Sequence, residues 1–155
     1  MAREIERKFL VNGEPWKDCG AGKAVRQGYL AFGPPVAVRV RIAGGRANLN
    51  LKQATLDINR AEYEYEIPLE DAKELLAEHC AGRPVEKTRF CIAWAGRTWE
   101  VDVFEGENAG LVVAEIELED ENDGLELPPW AGQEVSGDPR YLNTYLAQHP
   151  YAEWR

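Results

Sequence analysis

Polar and apolar residues alternate with period two along most of the chain, the spacing of half-buried β-strands. A first run, 3–11, places Glu4, Glu6 and Lys8 on one face. A second, 25–32, opposes Gln27 and Tyr29 to Leu30 and Phe32, and Gly33-Pro34-Pro35 ends it. In a third, 36–43, Val36, Val38, Val40 and Ile42 face away from Arg39 and Arg41. Gly44-Gly45 then reads as a tight hairpin turn, because adjacent glycines accept positive φ. The runs 46–54 and 60–68 set Asn48, Asn50 and Lys52 against Leu49 and Leu51, and Glu62, Glu64 and Glu66 against Tyr63, Tyr65 and Ile67. At 70–80 the period changes. Ala72, Leu75, Leu76 and His79 recur at helical spacing, Glu70 and Asp71 suit the positive end of the helix dipole, and Gly82 is the expected terminator. Alternation returns at 85–95, with Lys87 and Arg89 opposed to Phe90, Ile92 and Trp94. It continues at 97–105 (Glu100 and Asp102) and 111–119 (Glu115, Glu117 and Glu119). An acidic, proline-containing connector is expected over 120–137, and a closing helix over 139–148, capped by Asp138 with Pro139 at its first position. The pattern predicts one α+β domain, 1–155, built on an eight-stranded antiparallel barrel or sandwich with two helices.

Composition narrows the function classes. No apolar run approaches the roughly 18 residues that span a bilayer. Residues 1–15 carry no apolar h-region, since Arg3, Glu4, Glu6, Arg7 and Lys8 interrupt it. Three cysteines without CxxC spacing argue against a disulfide framework or a zinc site, so a reducing, cytoplasmic compartment is expected. His79 and His149 lack neighbouring ligands, which leaves little for triad chemistry. The net charge of −9 disfavours unspecific nucleic-acid binding. It hides an asymmetry: residues 1–53 hold 10 basic and 4 acidic side chains, residues 54–155 hold 8 and 23.

Antiparallel sheets commonly turn a charged face to water, and period alone does not say which face lies inside. The arrangement of sign is more informative. Arg39/Arg41 and Lys87/Arg89 place like charges two apart on one strand, as do Glu4/Glu6, Glu62/Glu64/Glu66 and Glu115/Glu117/Glu119. Like charges side by side repel unless a partner neutralises them. Clustered carboxylates suit a hard divalent cation, and clustered Arg and Lys suit phosphate.

Those same segments carry a resemblance. Glu4-Ile5-Glu6-Arg7-Lys8 resembles the ExExK signature of the CYTH superfamily, the triphosphate tunnel metalloenzymes. In order along the chain, Arg26–Leu30, Arg39-Val40-Arg41, Leu51-Lys52, Arg60–Glu64, Glu86–Arg89, Asp102–Phe104, Glu115–Glu117 and Asp138–Asn143 resemble further segments of that family. The resemblance implies an eight-stranded antiparallel β-barrel, a tunnel with a charged interior and a few flanking helices. It also implies metal-dependent work on triphosphates, most like that of small bacterial inorganic triphosphatases. Adenylate cyclases, thiamine triphosphatases and RNA triphosphatases share the fold, and a non-enzymatic polyphosphate-binding module stays open.

On that basis Arg39, Arg41, Lys52, Lys87, Arg89 and, more weakly, Arg140 are expected to bind phosphate. Glu4, Glu6, Glu115 and Glu117, then Asp102, Glu62 and Glu64, are expected to hold two Mg²⁺ or Mn²⁺ ions. Lys8 and Tyr29 are the expected catalytic pair. A lysine base must first lose its proton, which dense carboxylates oppose, so positioning of water or phosphate is the preferred role for Lys8. The apolar outer face of Val36, Val38, Val40, Ile42, Leu49 and Leu51 calls for cover by the helices and by a homodimer partner. Trp130, Tyr151 and Trp154 are packing or interface candidates.

Overall fold

The computed structural model describes residues 2–154. Eight antiparallel strands close into a barrel: β1 (Arg3–Val11), β2 (Lys23–Ala31), β3 (Val36–Ala43), β4 (Arg46–Gln53), β5 (Asn59–Ile67), β6 (Ala81–Trp94), β7 (Arg97–Phe104) and β8 (Val112–Glu117). Their order around the wall is β5-β4-β3-β2-β6-β7-β8-β1, and β1 returns to β5. Gly44 and Gly45, at φ 59° and 76°, make the β3–β4 hairpin turn that their positive φ permits.

Strand β1 divides one of its edges. Arg3, Glu4 and Ile5 pair with Ala61, Arg60 and Asn59 of β5. Further along, Phe9 and Val11 pair with β9 (Ala131–Glu134), a short ninth strand. The connector expected over 120–137 therefore contains a strand. Its four residues make no alternating run long enough to stand out by period.

Three apolar clusters fix the barrel. Helix α1 (Leu69–Glu78) lays Ala72 and Leu76 on Val40 and Ala47, with Leu30, Ile42 and Leu49 beside them, and so covers the outside of β2–β4. On the opposite wall Phe9, Trp99, Val101 and Ile116 pack outward beneath Trp16, Leu125 and Trp130. The third cluster lies inside one end of the barrel. There Tyr29, Ala37, Val85, Phe104 and Val113 pack against Leu146 and Ala147 of the C-terminal segment.

That segment plugs the barrel, and it is not the continuous helix expected over 139–148. A 3-10 turn, Pro139–Tyr141, is capped by Asp138 as expected. Leu142 is extended (φ −72°, ψ 139°), and helix α2 covers only Asn143–Leu146. The break lets Asn143 enter the barrel. Arg83 N–H bonds to the Ala147 carbonyl at 2.8 Å and ties the plug to β6. Gly82 does not terminate α1, which ends at Glu78. It is the second residue of β6, at φ +73°, and a Cβ there would lie 2.7 Å from the Ala147 oxygen, so the plug's close approach requires glycine.

Candidate functional site

Period-two alternation turns every second side chain of each strand into the barrel. In register, Lys8 faces Glu115, Glu6 faces Glu117, Arg39 faces Asn50 and Lys52 faces Glu62. The interior away from the plug is a cavity of about 670 Å³. Of the residues expected from sequence, Glu4, Glu6, Lys8, Tyr29, Arg39, Arg41, Lys52, Glu62, Glu64, Arg89, Glu115 and Glu117 line it.

Charge is sorted within this cavity. Arg39 is 6% exposed and its Nε makes no hydrogen bond. Arg41 donates from Nε to Gln27 Oε1 at 2.9 Å. Burial, with Arg39 and Arg89 nearby, pushes Arg41 down to about 10. Among the described residues neither guanidinium, nor the Lys8 ammonium, has a carboxylate within 4.0 Å. The other cavity cations are paired. Lys52 lies 3.0 Å from Glu4 and 3.3 Å from Glu62. Arg89 donates to both Asp102 oxygens, at 2.7 and 2.9 Å.

Across from the arginines lie the acids. Burial holds Glu6 well above the usual carboxylate range, and Glu115 and Glu4 add to it. Its neighbour Glu115 is held well below that range: burial opposes, but Lys8, Arg89, Lys87 and a hydrogen bond from Glu6 outweigh it. The two carboxyls are thus pushed in opposite directions, Glu6 towards its neutral form and Glu115 towards its charged one. Burial also raises Glu117, helped by Glu4, Glu62 and Glu100. Lys52 lies 3.0 Å from Glu4 Oε2, yet that buried oxygen makes no hydrogen bond.

This donor set fits a hard divalent cation in part. It is all oxygen, with Glu4 and Glu115 buried and Glu117 exposed. Among the described residues no three acids converge into a closed cage, because Lys52 and Arg60 interleave with them. Mg²⁺ commonly takes one or two carboxylates together with substrate phosphates rather than an all-protein cage. Glu4, Glu6, Glu115 and Glu117 meet that lesser demand.

Three sequence candidates lie outside the cavity lining. Lys87 and Asp102 are both 0% exposed and form a 2.7 Å ion pair inside the barrel, on the plug side of Arg89. Burial lowers Lys87 to about 8 despite Asp102. Asp102 is held below its usual value by Lys87 and Arg89 against the cost of burial, so its charge is spent within the protein. Arg140 sits on the outer surface, 2.7 Å from Asp138 and over the Trp154 ring at 5.3 Å. Its position beside a capping aspartate explains this, since the 3-10 turn points the side chain back to its own cap.

Conversely, the cavity gains residues not singled out. Arg60 shares the inward parity of Glu62 and Glu64, which was the available signal. It is buried, lies 3.5 Å from Glu4 and 3.6 Å from Glu6, and its Nε is unbonded. Asn50 donates to Glu62 and Glu64 at 3.2 and 3.4 Å. Asn143 reaches the cavity from the plug, and no periodicity announces it.

Comparison with known proteins agrees with this architecture. The CYTH domain model matches residues 2–145. An inorganic triphosphatase of Acetivibrio thermocellus is 47% identical over 155 residues, covering 100% of this chain and 99% of the relative. One of Nitrosomonas europaea is 38% identical over 148 residues, covering 93% and 96%. A crystal structure of an inorganic triphosphatase superposes with a TM-score of 0.68 at 37% identity, covering 95% of each chain. A charged, closed antiparallel barrel, a family model matched over nearly its whole length and relatives of the same size together place this chain in the CYTH domain family.

Proposed function

We propose that this protein is an enzyme that hydrolyses inorganic triphosphate to phosphate and pyrophosphate with the help of divalent metal. The observation that carries this reading is the pair Arg39 and Arg41, two interior guanidiniums on one strand with no carboxylate within 4.0 Å among the described residues, facing a cluster of carboxylates. Such a pair attracts an anion, and the acids opposite it call for a cation. A metal–polyphosphate complex supplies both. The names of the relatives from Acetivibrio thermocellus and Nitrosomonas europaea support the choice of inorganic triphosphate.

In this reading Arg39 and Arg41 grip phosphate oxygens, with Lys52 and Arg89 as further cations already steadied by acids. Phosphoryl transfer demands charge neutralisation and an in-line attacking oxygen more than covalent chemistry. Glu4, Glu6, Glu115 and Glu117 would hold Mg²⁺ or Mn²⁺, two ions in the fullest case, with Glu62 and Glu64 as further acids. Bound metal supplies charge neutralisation at the phosphates and lowers the pKa of coordinated water. Lys8 stands beside Glu115 in register, and its Nζ donates to the Tyr141 carbonyl at 3.3 Å, which fixes the ammonium for positioning water or a phosphate oxygen. Tyr29 lines the same cavity while packing on Phe32 at 5.6 Å. The water oxygen bonds to a terminal phosphorus as the bridging P–O bond breaks; phosphate forms, pyrophosphate leaves with the bridging oxygen, and the water proton passes to a phosphate oxygen or to solvent.

The outer face of β5 leaves Tyr63 and Tyr65 44% and 58% exposed, beyond the strands that α1 covers. A homodimer that covers them is part of this proposal, read by sedimentation. A reducing compartment fits the free thiols of Cys19, Cys80 and Cys91.

The deciding experiment measures phosphate release from inorganic triphosphate, ATP and thiamine triphosphate, with and without Mg²⁺ or Mn²⁺. Preferred, metal-dependent turnover of inorganic triphosphate is expected. Cyclic AMP formation from ATP without phosphate release would replace hydrolysis with cyclisation.

A further inference from the structure

We propose that Asn143, delivered by the C-terminal plug, is a substrate-contacting residue: a neutral hydrogen-bond donor to the bound phosphate chain, oriented by Gln27 and Lys87. The inference rests on the triphosphate reading of the cavity and names a residue within it.

The polarity of the contacts carries the argument. Arg41 and Lys87 have only donors to offer. Arg41 Nε meets the Gln27 side chain at 2.9 Å, so Gln27 must present its oxygen there. The Gln27 amide nitrogen is then left to donate, and it does so to Asn143 Oδ1 at 3.0 Å. Lys87 Nζ reaches the same oxygen at 3.4 Å. An Asn143 amide turned the other way would set its own donors against those of Gln27 and Lys87. Both amides are therefore fixed by cations at the two ends of the chain of contacts, and Gln27, at 0% exposed, has no room to turn.

With Oδ1 committed, Nδ2 is the free end of Asn143, and it has no acceptor among the described residues. The residue is half-buried and lines the cavity that Arg39 and Arg41 also line. A neutral donor suits this place. It binds a phosphate oxygen without recruiting another carboxylate, and Gln27 holds Arg41 in the same way, by an amide that leaves the guanidinium charge for the ligand.

Two substitutions separate contact from mere support. Asn143→Ala removes both the donor and the acceptor. Asn143→Asp keeps an oxygen for Gln27 and Lys87 but turns a second, anionic oxygen towards the phosphates. Inorganic triphosphate is titrated calorimetrically into each protein in EDTA, KM and kcat are measured with Mg²⁺, and melting is recorded throughout. Expected are about tenfold weaker binding and higher KM for Asn143→Ala, still weaker binding for Asn143→Asp, and a melting temperature for Asn143→Asp close to that of the wild type. Asn143→Asp binding as well as or better than Asn143→Ala would assign the residue a supporting role and overturn the proposal, as would wild-type affinity in Asn143→Ala. Wild-type protein that binds triphosphate without turning it over refutes the hydrolase reading while the affinities still decide this one. Wild-type protein that neither binds triphosphate in EDTA nor turns it over with Mg²⁺ overturns both.

Discussion

Read from the plug outward, the inward positions of β6, β7 and β8 run Val85–Lys87–Arg89, Phe104–Asp102–Glu100 and Val113–Glu115–Glu117. One end of the interior is an apolar core, and the other is a cavity dense with charge. The same strands, with the same alternation, build both. What separates them is water. Leu146 and Ala147 seal the first end, where an unpaired charge would lose its hydration without recompense. At the boundary lies the Lys87–Asp102 pair, which is tolerated without solvent because each ion has a partner. Beyond it, Arg39 and Arg41 keep their charge unmatched. The division assigns stability to one end and ligand capture to the other.

The comparison breaks most visibly if the charged end proves dispensable. Glu4→Gln, Glu6→Gln and Lys8→Ala should each lower kcat for inorganic triphosphate by about 100-fold or more, with circular dichroism showing a retained fold. Near-wild-type rates would remove these residues from the site. At the sealed end the expected loss is of stability. Leu146→Ala empties a fully covered position and should cost about 3 kcal/mol, a fall in melting temperature of about 6–12 °C for a chain of this size. An unchanged melting temperature would show that the plug is not part of the core.

Metal sharpens the contrast. Mg²⁺ at about 100 times its dissociation constant should stabilise the wild type by about 2.7 kcal/mol, and chelation should reverse the gain. Glu6→Gln should lose most of it, and Leu146→Ala should keep it. The smallest effect belongs outside the barrel. Arg7 and Glu134 pair at 2.7 Å on the surface, where such pairs are worth under about 1 kcal/mol. The Arg7 hydrogen bonds hold the Glu134 carboxyl below its usual value. Its contribution is therefore full above the unfolded carboxylate range and lost as pH falls through the lowered folded value. Denaturant titrations of wild type and Glu134→Gln should differ slightly at neutral pH and converge in acid.

Period two made the faces of the strands legible, and the blocks of like charge at Arg39/Arg41, Glu62/Glu64 and Glu115/Glu117 marked which face held chemistry. Depth was not legible. Lys87 and Arg89 are equivalent by period, yet one is sealed from water and the other lines the cavity, because only the plug and the register decide how far water reaches. Arg60 had the correct parity but stood alone as a base among acids. Asn143 lies in a segment whose composition suits a helix, and its entry into the barrel depends on the extended Leu142 and on Gln27, a partner 116 positions away. Arg140 carried the right charge in the wrong local geometry.

The divided edge of β1 bears on how the protein comes to exist. Glu4, Glu6 and Lys8 sit on the first strand, yet that strand is held by β5, β8 and β9, and the β8 pairing joins Glu6 to Glu117 and Lys8 to Glu115. Loop-closure entropy makes pairings of such separation late and slow. As the chain leaves the ribosome, the hairpins β2–β3–β4–β5 can form from neighbours, while β1 waits for residues beyond 110. The acidic signature at the head of the sequence is thus among the last parts to be seated, and a nascent chain halted before β8 would carry Glu4, Glu6 and Lys8 but not the Glu115 and Glu117 they pair with.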